Sequence, residues 1–323
     1  SDSFTLNNNY FYDNYQSIVV NRSTNAYVVS NHVFNSINDG ITLYETEGYG
    51  VWSNTLFGCG FNIYDRNMTR AATLVFHNTN NYVNGRLVHF YHSIELDSIT
   101  EDLGQIIMYN CSYIDLGKLN CSDSAYGISL FSCKDFYIYD CEFYNIKNGF
   151  VFYDVDNIEI DNCTVEGGFT GLSAFSSINL YIYNCNISEN SNVGIFLHDV
   201  VTAELRINEF INNTNYGIAL DTCSDVIVYH NDFIDNGNGS LPQAADFYGS
   251  TNFWYSETLS EGNFWKDYSG VGTYLIHCQF DDIFDLFPSG PIIISEFKTI
   301  TSALIILGII SFVSVLDIYR KRR

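Results

Sequence analysis

The sequence predicts an all-β protein: a right-handed parallel β-helix of 22–23-residue coils, followed by one C-terminal transmembrane α-helix. Three observations predict it. Glycines that open an apolar strand recur at Gly127, Gly149, Gly171, Gly194 and Gly217, with spacings of 22, 22, 23 and 23. Composition leans towards strand: 16% of the 323 residues are aromatic and only three are proline, and long Ala/Glu/Lys/Leu-rich stretches of the helical kind are absent. Finally, "TITSALIILGIISFVSVL" (299–316) runs 18 residues without a charge before "DIYRKRR", which is long enough to span a hydrocarbon core.

Each regular unit holds three short strands. After the glycine strand comes an alternating pair, Phe136-x-Ile138, Ile158-x-Ile160, Leu180-x-Ile182, Ala203-x-Leu205 and Val226-x-Val228. A third apolar position closes the unit at Phe143, Val165, Ile187, Phe210 and Phe233. Asn, Asp, Ser and Gly turns separate the strands, and within the regular units no tight hairpin offers an antiparallel partner. Stacking unit on unit therefore gives parallel sheets whose inward residues form columns. Ahead of these units "FTLNNNYFYDNYQSIVVNRS", "AYVVSNHVFNSINDGITLYET" and "YGVWSNTLFGCGFNIYDR" read as about three looser coils. Residues 67–103 interrupt the rhythm, and Gln105 restores it. The expected organisation is coils over 1–240, a cap over 241–290, a linker at 291–298, the membrane helix at 299–319 and a basic tail at 320–323.

Cysteine usage follows the same columns. Cys141, Cys163 and Cys185 share one column with Leu119, Asn208 and Asn231; Cys111, Cys133 and Cys223 share another with Val155, Ser177 and Val200. A disulfide or metal set would not interchange with Leu, Val and Asn, whereas a ladder of small buried side chains would. Nine cysteines is also an odd number, so at least one thiol has no partner within the chain.

Charge bounds the partners. Fourteen Lys+Arg against 37 Asp+Glu give a net charge of −23, which argues against nucleic acid and repels polyanions unless a cation bridges them. The basic end "RKRR" beside the apolar run places the C-terminus in the cytoplasm and the β-helix outside the cell membrane, a single-pass arrangement with the membrane as one partner. Eight N-x-[ST] sequons permit glycosylation there.

Two stretches carry a resemblance. "NNYVNGRLVHFYHS" with "LGQIIMYNCSYIDLGKLNCSDSAYGISLFSC", and "GSTNFWYSETLSEGNFWKDYSGVGTY", are similar to the opening coils and the cap of NosD-like proteins. These are right-handed parallel β-helices of prokaryotic surfaces and periplasms, often labelled copper-binding. The resemblance covers about residues 1–288 and implies architecture more strongly than activity. It also implies that Trp254, Gly262, Asn263, Trp265, Asp267 and Tyr268 belong to the cap.

The chemistry that the residues support is binding. No catalytic residue and no metal ligand is assigned, and no cofactor is expected. Calcium at Asp154-x-Asp156-Asn157 and copper at the histidines are the alternatives, but His89 and His92 point to opposite faces of a strand. Asp281-Asp282 is read as a solvated turn. The outward rows of the second strand are the candidate ligand face: Tyr137, Glu159, Tyr181 and Glu204, then Tyr139, Asp161, Tyr183 and Tyr229. Aromatic rings interleaved with carboxylates suit a polysaccharide or another envelope glycan, although cross-strand ladders also stabilise a sheet without any ligand. The expected function is a surface-anchored, non-catalytic β-helix that binds carbohydrate or another cell-envelope component. A surface polysaccharide lyase or glycoside hydrolase and a copper-handling accessory protein are the alternatives.

Overall fold

The computed structural model describes residues 3–290, except 47–49, 65–74, 77–79, 96–97, 101–102, 249–250 and 279–282. The apolar run at 299–316, His77 and Asp281-Asp282 lie outside the described residues. Among the described residues, no helix is long and apolar enough to cross a membrane.

The chain forms a parallel β-solenoid. The regular coils build three sheets. The first-strand sheet includes Gln105–Tyr109, Tyr126–Phe131, Asn148–Tyr153, Thr170–Phe175, Val193–His198 and Tyr216–Asp221; it belongs to a twelve-stranded sheet. The second-strand sheet has seven strands, from Ser98–Ile99 to Ser224–Tyr229, and the third has six, from Glu142–Tyr144 to Phe264–Trp265. Register advances one coil at a time, with Ile128 beside Phe150, Phe150 beside Leu172 and Leu172 beside Ile195.

The recurring glycine has a steric cause. A Cβ on Gly127, Gly149, Gly171 or Gly194 would lie 2.5–2.8 Å from the carbonyl oxygen of the glycine one coil on. That approach is closer than any side chain tolerates, and no positive φ is involved. The asparagines have a different cause. Asn145, Asn162 and Asn184, between strands, and Asn157 and Asn179, each the second residue of its strand, have φ between 52° and 56°, a conformation that Asn tolerates better than most residues. Each also donates its amide to an aspartate one coil back, as Asn157 does to Asp135 at 2.7 Å and Asn162 to Asp140 at 2.6 Å.

The thiol columns are in the interior. The nine cysteines are thiols rather than disulfides, and eight are buried. Cys141 N–H donates to Cys163 Sγ at 3.4 Å, and Cys163 Sγ–H to the Asp161 carbonyl at 3.4 Å. The column then passes to amides: Cys185 N–H donates to Asn208 Oδ1 at 2.9 Å, Asn208 N–H to Asn231 Oδ1 at 3.0 Å and Asn231 N–H to Asn263 Oδ1 at 3.1 Å. Trp254 and Trp265 are fully buried over the last coil, with Trp265 parallel to Phe233 at 4.1 Å.

The N-terminal coils depart from a single continuous stack. They form their own core, from Ile18 to Phe90, separate from the core running from Ile99 to Ile276. The chain turns between them through an antiparallel pair, Tyr82–Val83 against Arg86–His92. Asn84 and Gly85, both at positive φ (52° and 79°), make that turn, as expected of an Asn-Gly hairpin. "VNGR" is the sequence signal for it.

Candidate functional site

Because the N-terminal coils pack on the outward side of the first-strand sheet, an inner corner forms there. Ile107 and Phe131, which point outward from that sheet, belong to the N-terminal core. Gln105 fastens the junction, its amide donating to the Phe61 carbonyl at 2.7 Å and its carbonyl accepting Phe61 N–H at 3.0 Å. Beyond Phe131 the outward face of the sheet is partly open, with Ser173, Phe175 and Phe196 half-buried. The result is a groove of about 470 Å³, with strand Phe61–Tyr64 at one end and Phe247 at the other.

One wall of the groove is aromatic. Phe131, Tyr153 and Phe175 occupy one row in successive coils, with ring centroids 5.7 and 4.6 Å apart and planes within 10°. His198 follows Phe175 in that row, tilted by 58° at 6.2 Å, while Phe196, from the adjacent row, stands at 69° to Phe175 and leaves a corner between two ring planes. Phe169 is half exposed at the rim. The floor is uncharged. Asn148, Thr170, Ser129, Ser173, Asn192 and Asn215 alternate there with Val151, Val193 and Ala219, and Asn215 donates to Asn192 Oδ1 at 2.7 Å.

A buried charge cluster closes one end. Asp39, from strand Asp39–Tyr44, is fully buried. Its carboxylate accepts from Lys147 Nζ (3.1 Å), Tyr126 OH (3.1 Å), Asn62 Nδ2 (3.1 Å) and Thr42 Oγ1 (3.3 Å). Lys147 Nζ also contacts Tyr126 OH at 3.2 Å and Asn38 Oδ1. Burial, followed by the nearby Asp39 charge, pushes the Tyr126 phenol well above its ordinary range, so it remains a neutral donor. The cluster ties the N-terminal coils to the regular coils.

The sequence-predicted face lies elsewhere, on the second-strand sheet. Register sets Tyr137, Glu159, Tyr181 and Glu204 in one row and Tyr139, Asp161, Tyr183, Arg206 and Tyr229 in the next. Two of the tyrosines and Arg206 bond carboxylates of the same face. Tyr137 OH donates to Asp161 at 3.3 Å, Tyr229 OH donates to Glu204 at 2.8 Å, and the Arg206 guanidinium lies 4.1 Å from the Tyr183 ring centroid. Desolvation and the Glu204 charge push the Tyr183 phenol up to about 12. A shallow depression there is lined by Asp115, Asp135 and Glu159. Sequence reading had followed the second strand; the groove needs outward positions of the first strand, such as Ser129, Tyr153, Phe175 and Phe196. Their alternation with core residues was visible in each Gly-x-x-x unit.

Metal donors are dispersed. His89 Nδ1 bonds Tyr91 OH at 2.6 Å, while His92 faces the other way and stacks on Tyr109. His198 and His230 pair with Asp221 and Glu261, and Met108 is in the core. The His92 Nε2 atom is buried without a hydrogen-bond partner, but it is a single donor. Asp154 accepts from Ser132 Oγ at 2.9 Å and Asp156 from Asn179 at 2.9 Å, as ordinary turn contacts. Among the described residues no three His, Cys, Asp or Glu side chains converge as metal ligands.

The family model described as "Periplasmic copper-binding protein (NosD)" matches residues 90–270, more than half of the chain. No curated protein matches. Among solved structures, the periplasmic alginate epimerase AlgG is 10% identical over 73% of this chain and 71% of its own, with a TM-score of 0.38. The A-module of the Azotobacter vinelandii mannuronan C-5 epimerase AlgE6 is 12% identical over 71% and 72%, with a TM-score of 0.35. Tailspike protein 2 of an Escherichia coli O157:H7 bacteriophage is 12% identical over 91% of this chain and 43% of its own, with a TM-score of 0.38. Likenesses this distant say nothing about activity. The donors described above do not fit the copper of the family description.

Proposed function

The chain belongs to the NosD family, and from that premise we propose that it is a membrane-tethered, extracellular β-helix that binds a glycan in its inner-corner groove without transforming it. The observation that carries this reading is the aromatic wall of Tyr153, Phe175 and Phe196 facing a floor of neutral hydrogen-bonding groups, within one groove of about 470 Å³. Sugars present apolar CH patches and many hydroxyls, and such a pairing serves both. Among the described residues the lining contains no carboxylate, whereas hydrolysis of a glycosidic bond uses a pair of them, so the site favours holding a chain over cutting it. The uncharged run at 299–316 and the basic residues after it support the tether. The second-strand tyrosine and carboxylate rows are the other candidate face.

The test is retention of the full chain, in a detergent without a sugar headgroup, on a panel of insoluble and soluble polysaccharides, with released reducing and unsaturated ends measured in parallel. Retention without release is expected. Release of ends would overturn the non-catalytic reading, and failure to bind any glycan would overturn the binding one.

A further inference from the structure

We propose that the groove takes an uncharged polysaccharide, laid along the solenoid axis with one pyranose per coil, and discriminates against uronate chains. This rests on the glycan reading above and names its ligand class. The sequence carries 14 cationic and 37 anionic residues, yet among the described residues one charged side chain, Lys147, lines the groove. Its ammonium is already committed to Asp39 at 3.1 Å and to Tyr126 OH at 3.2 Å. An anionic sugar could use it only by displacing a buried carboxylate, which would then be left without its countercharge. The remaining polar lining is neutral. Among the described residues Asn148, Ser129 and Ser173 have no side-chain hydrogen-bond partner, and each lines the groove. Hydroxyls satisfy such groups as donor or acceptor; a carboxylate entering them is desolvated without compensation. The net charge of −23 adds long-range repulsion of a polyanion.

Length follows from the repeat. Parallel strands are about 4.8 Å apart, comparable to one pyranose in an extended chain. Ser129, Val151, Ser173, Phe196 and Ala219 line the groove in five successive coils, a span of about 19 Å for four steps of that spacing. The groove therefore accommodates about five sugar units, with the corner between Phe175 and Phe196 as the apolar anchor.

The experiment is calorimetric titration of the full chain, in a detergent without a sugar headgroup, with two oligosaccharide series of two to eight units. One series is neutral (gluco-, manno-, xylo- and N-acetylglucosamine oligomers) and the other anionic (oligogalacturonates and oligomannuronates). The expected result is binding by at least one neutral series, with affinity rising to about five units and then levelling, little dependence on salt, and uronates at least tenfold weaker. Phe196→Ala should weaken binding at least tenfold. Tighter binding of uronates, or affinity that falls steeply with salt, would overturn the neutral assignment while leaving the glycan reading intact. Binding of neither series would overturn both.

Discussion

Replacing Asn231 by alanine tests the core ladder most sharply. Asn231 Nδ2 donates to the Leu205 carbonyl at 2.8 Å, the Tyr229 carbonyl at 3.0 Å and Asn263 Oδ1 at 3.0 Å. Its Oδ1 accepts Asn208 N–H at 3.0 Å and Asn208 Nδ2 at 2.9 Å. Truncation removes all five bonds. Asn208 Nδ2 keeps the Ile182 carbonyl and Asn263 Oδ1 keeps the Asn231 N–H, but the Asn208 N–H loses its acceptor in the interior. An orphaned buried donor costs about 1–3 kcal/mol and each other lost bond about 1 kcal/mol at most, so Asn231→Ala should destabilise by about 4 kcal/mol. Three positions earlier in the same column, Cys163 makes weaker sulfur contacts, and Cys163→Ala should cost only about 1–2 kcal/mol, the loss of one small buried group. Asn231→Cys should fall between the two, because a thiol already serves this structural position in other coils. Urea unfolding followed by the fluorescence of buried Trp254 and Trp265 reads all three. A cost for Asn231→Ala below about 1 kcal/mol, or Asn231→Cys as damaging as alanine, would refute the reasoning.

Three further outcomes follow from the same contacts. Lys147→Ala should destabilise by about 2–4 kcal/mol, as expected for breaking a largely buried ion pair, with urea midpoints as the check; the bonds Asp39 keeps from Tyr126, Asn62 and Thr42 hold the loss below the upper extreme. In native protein at pH 8 a thiol reagent should modify only Cys278, because the other eight cysteines are buried, Cys111 included although its hydrogen bond with Cys133 draws that thiol down to about 7; in urea all nine should react without reductant. Burial raises the Asp285 carboxyl despite hydrogen bonds from Asn263, Trp265 and Phe287 that pull it down. The folded state therefore binds that proton more tightly than the unfolded state. Stability of the parent relative to Asp285→Asn should fall as pH rises from the unfolded through the folded value, and a rise over that window would contradict the sign.

Much of the solenoid was legible because its period is written twice, once in apolar columns and once in glycines. A Cβ at Gly149 or Gly171 meets the next coil's carbonyl, so spacing alone marked the sheet and its register. The thiol column was equally legible, since Leu119, Cys141 and Asn208 exchange at one position that no disulfide could tolerate. The inner corner was not. It depends on the Asn84-Gly85 turn and on Asp39 meeting Lys147 from 108 residues away, a long-range pairing that no local pattern announces. The tyrosine rows of the second strand drew the eye because they alternate with charges. In the structure Asp161 and Glu204 accept from Tyr137 and Tyr229, and the less conspicuous Ser129, Tyr153, Phe175 and Phe196 line the groove.

The most direct test of the account sets the two faces against each other in one binding assay. The full chain, the Phe175→Ala/Phe196→Ala variant and the Tyr181→Ala/Tyr183→Ala variant are compared for retention on whichever polysaccharide the panel identifies, with unfolding midpoints confirming that each variant is folded. The account predicts that retention collapses in the groove variant and persists in the second-strand variant. Persistence in the groove variant with collapse in the other would contradict it and move the ligand to the tyrosine and carboxylate rows.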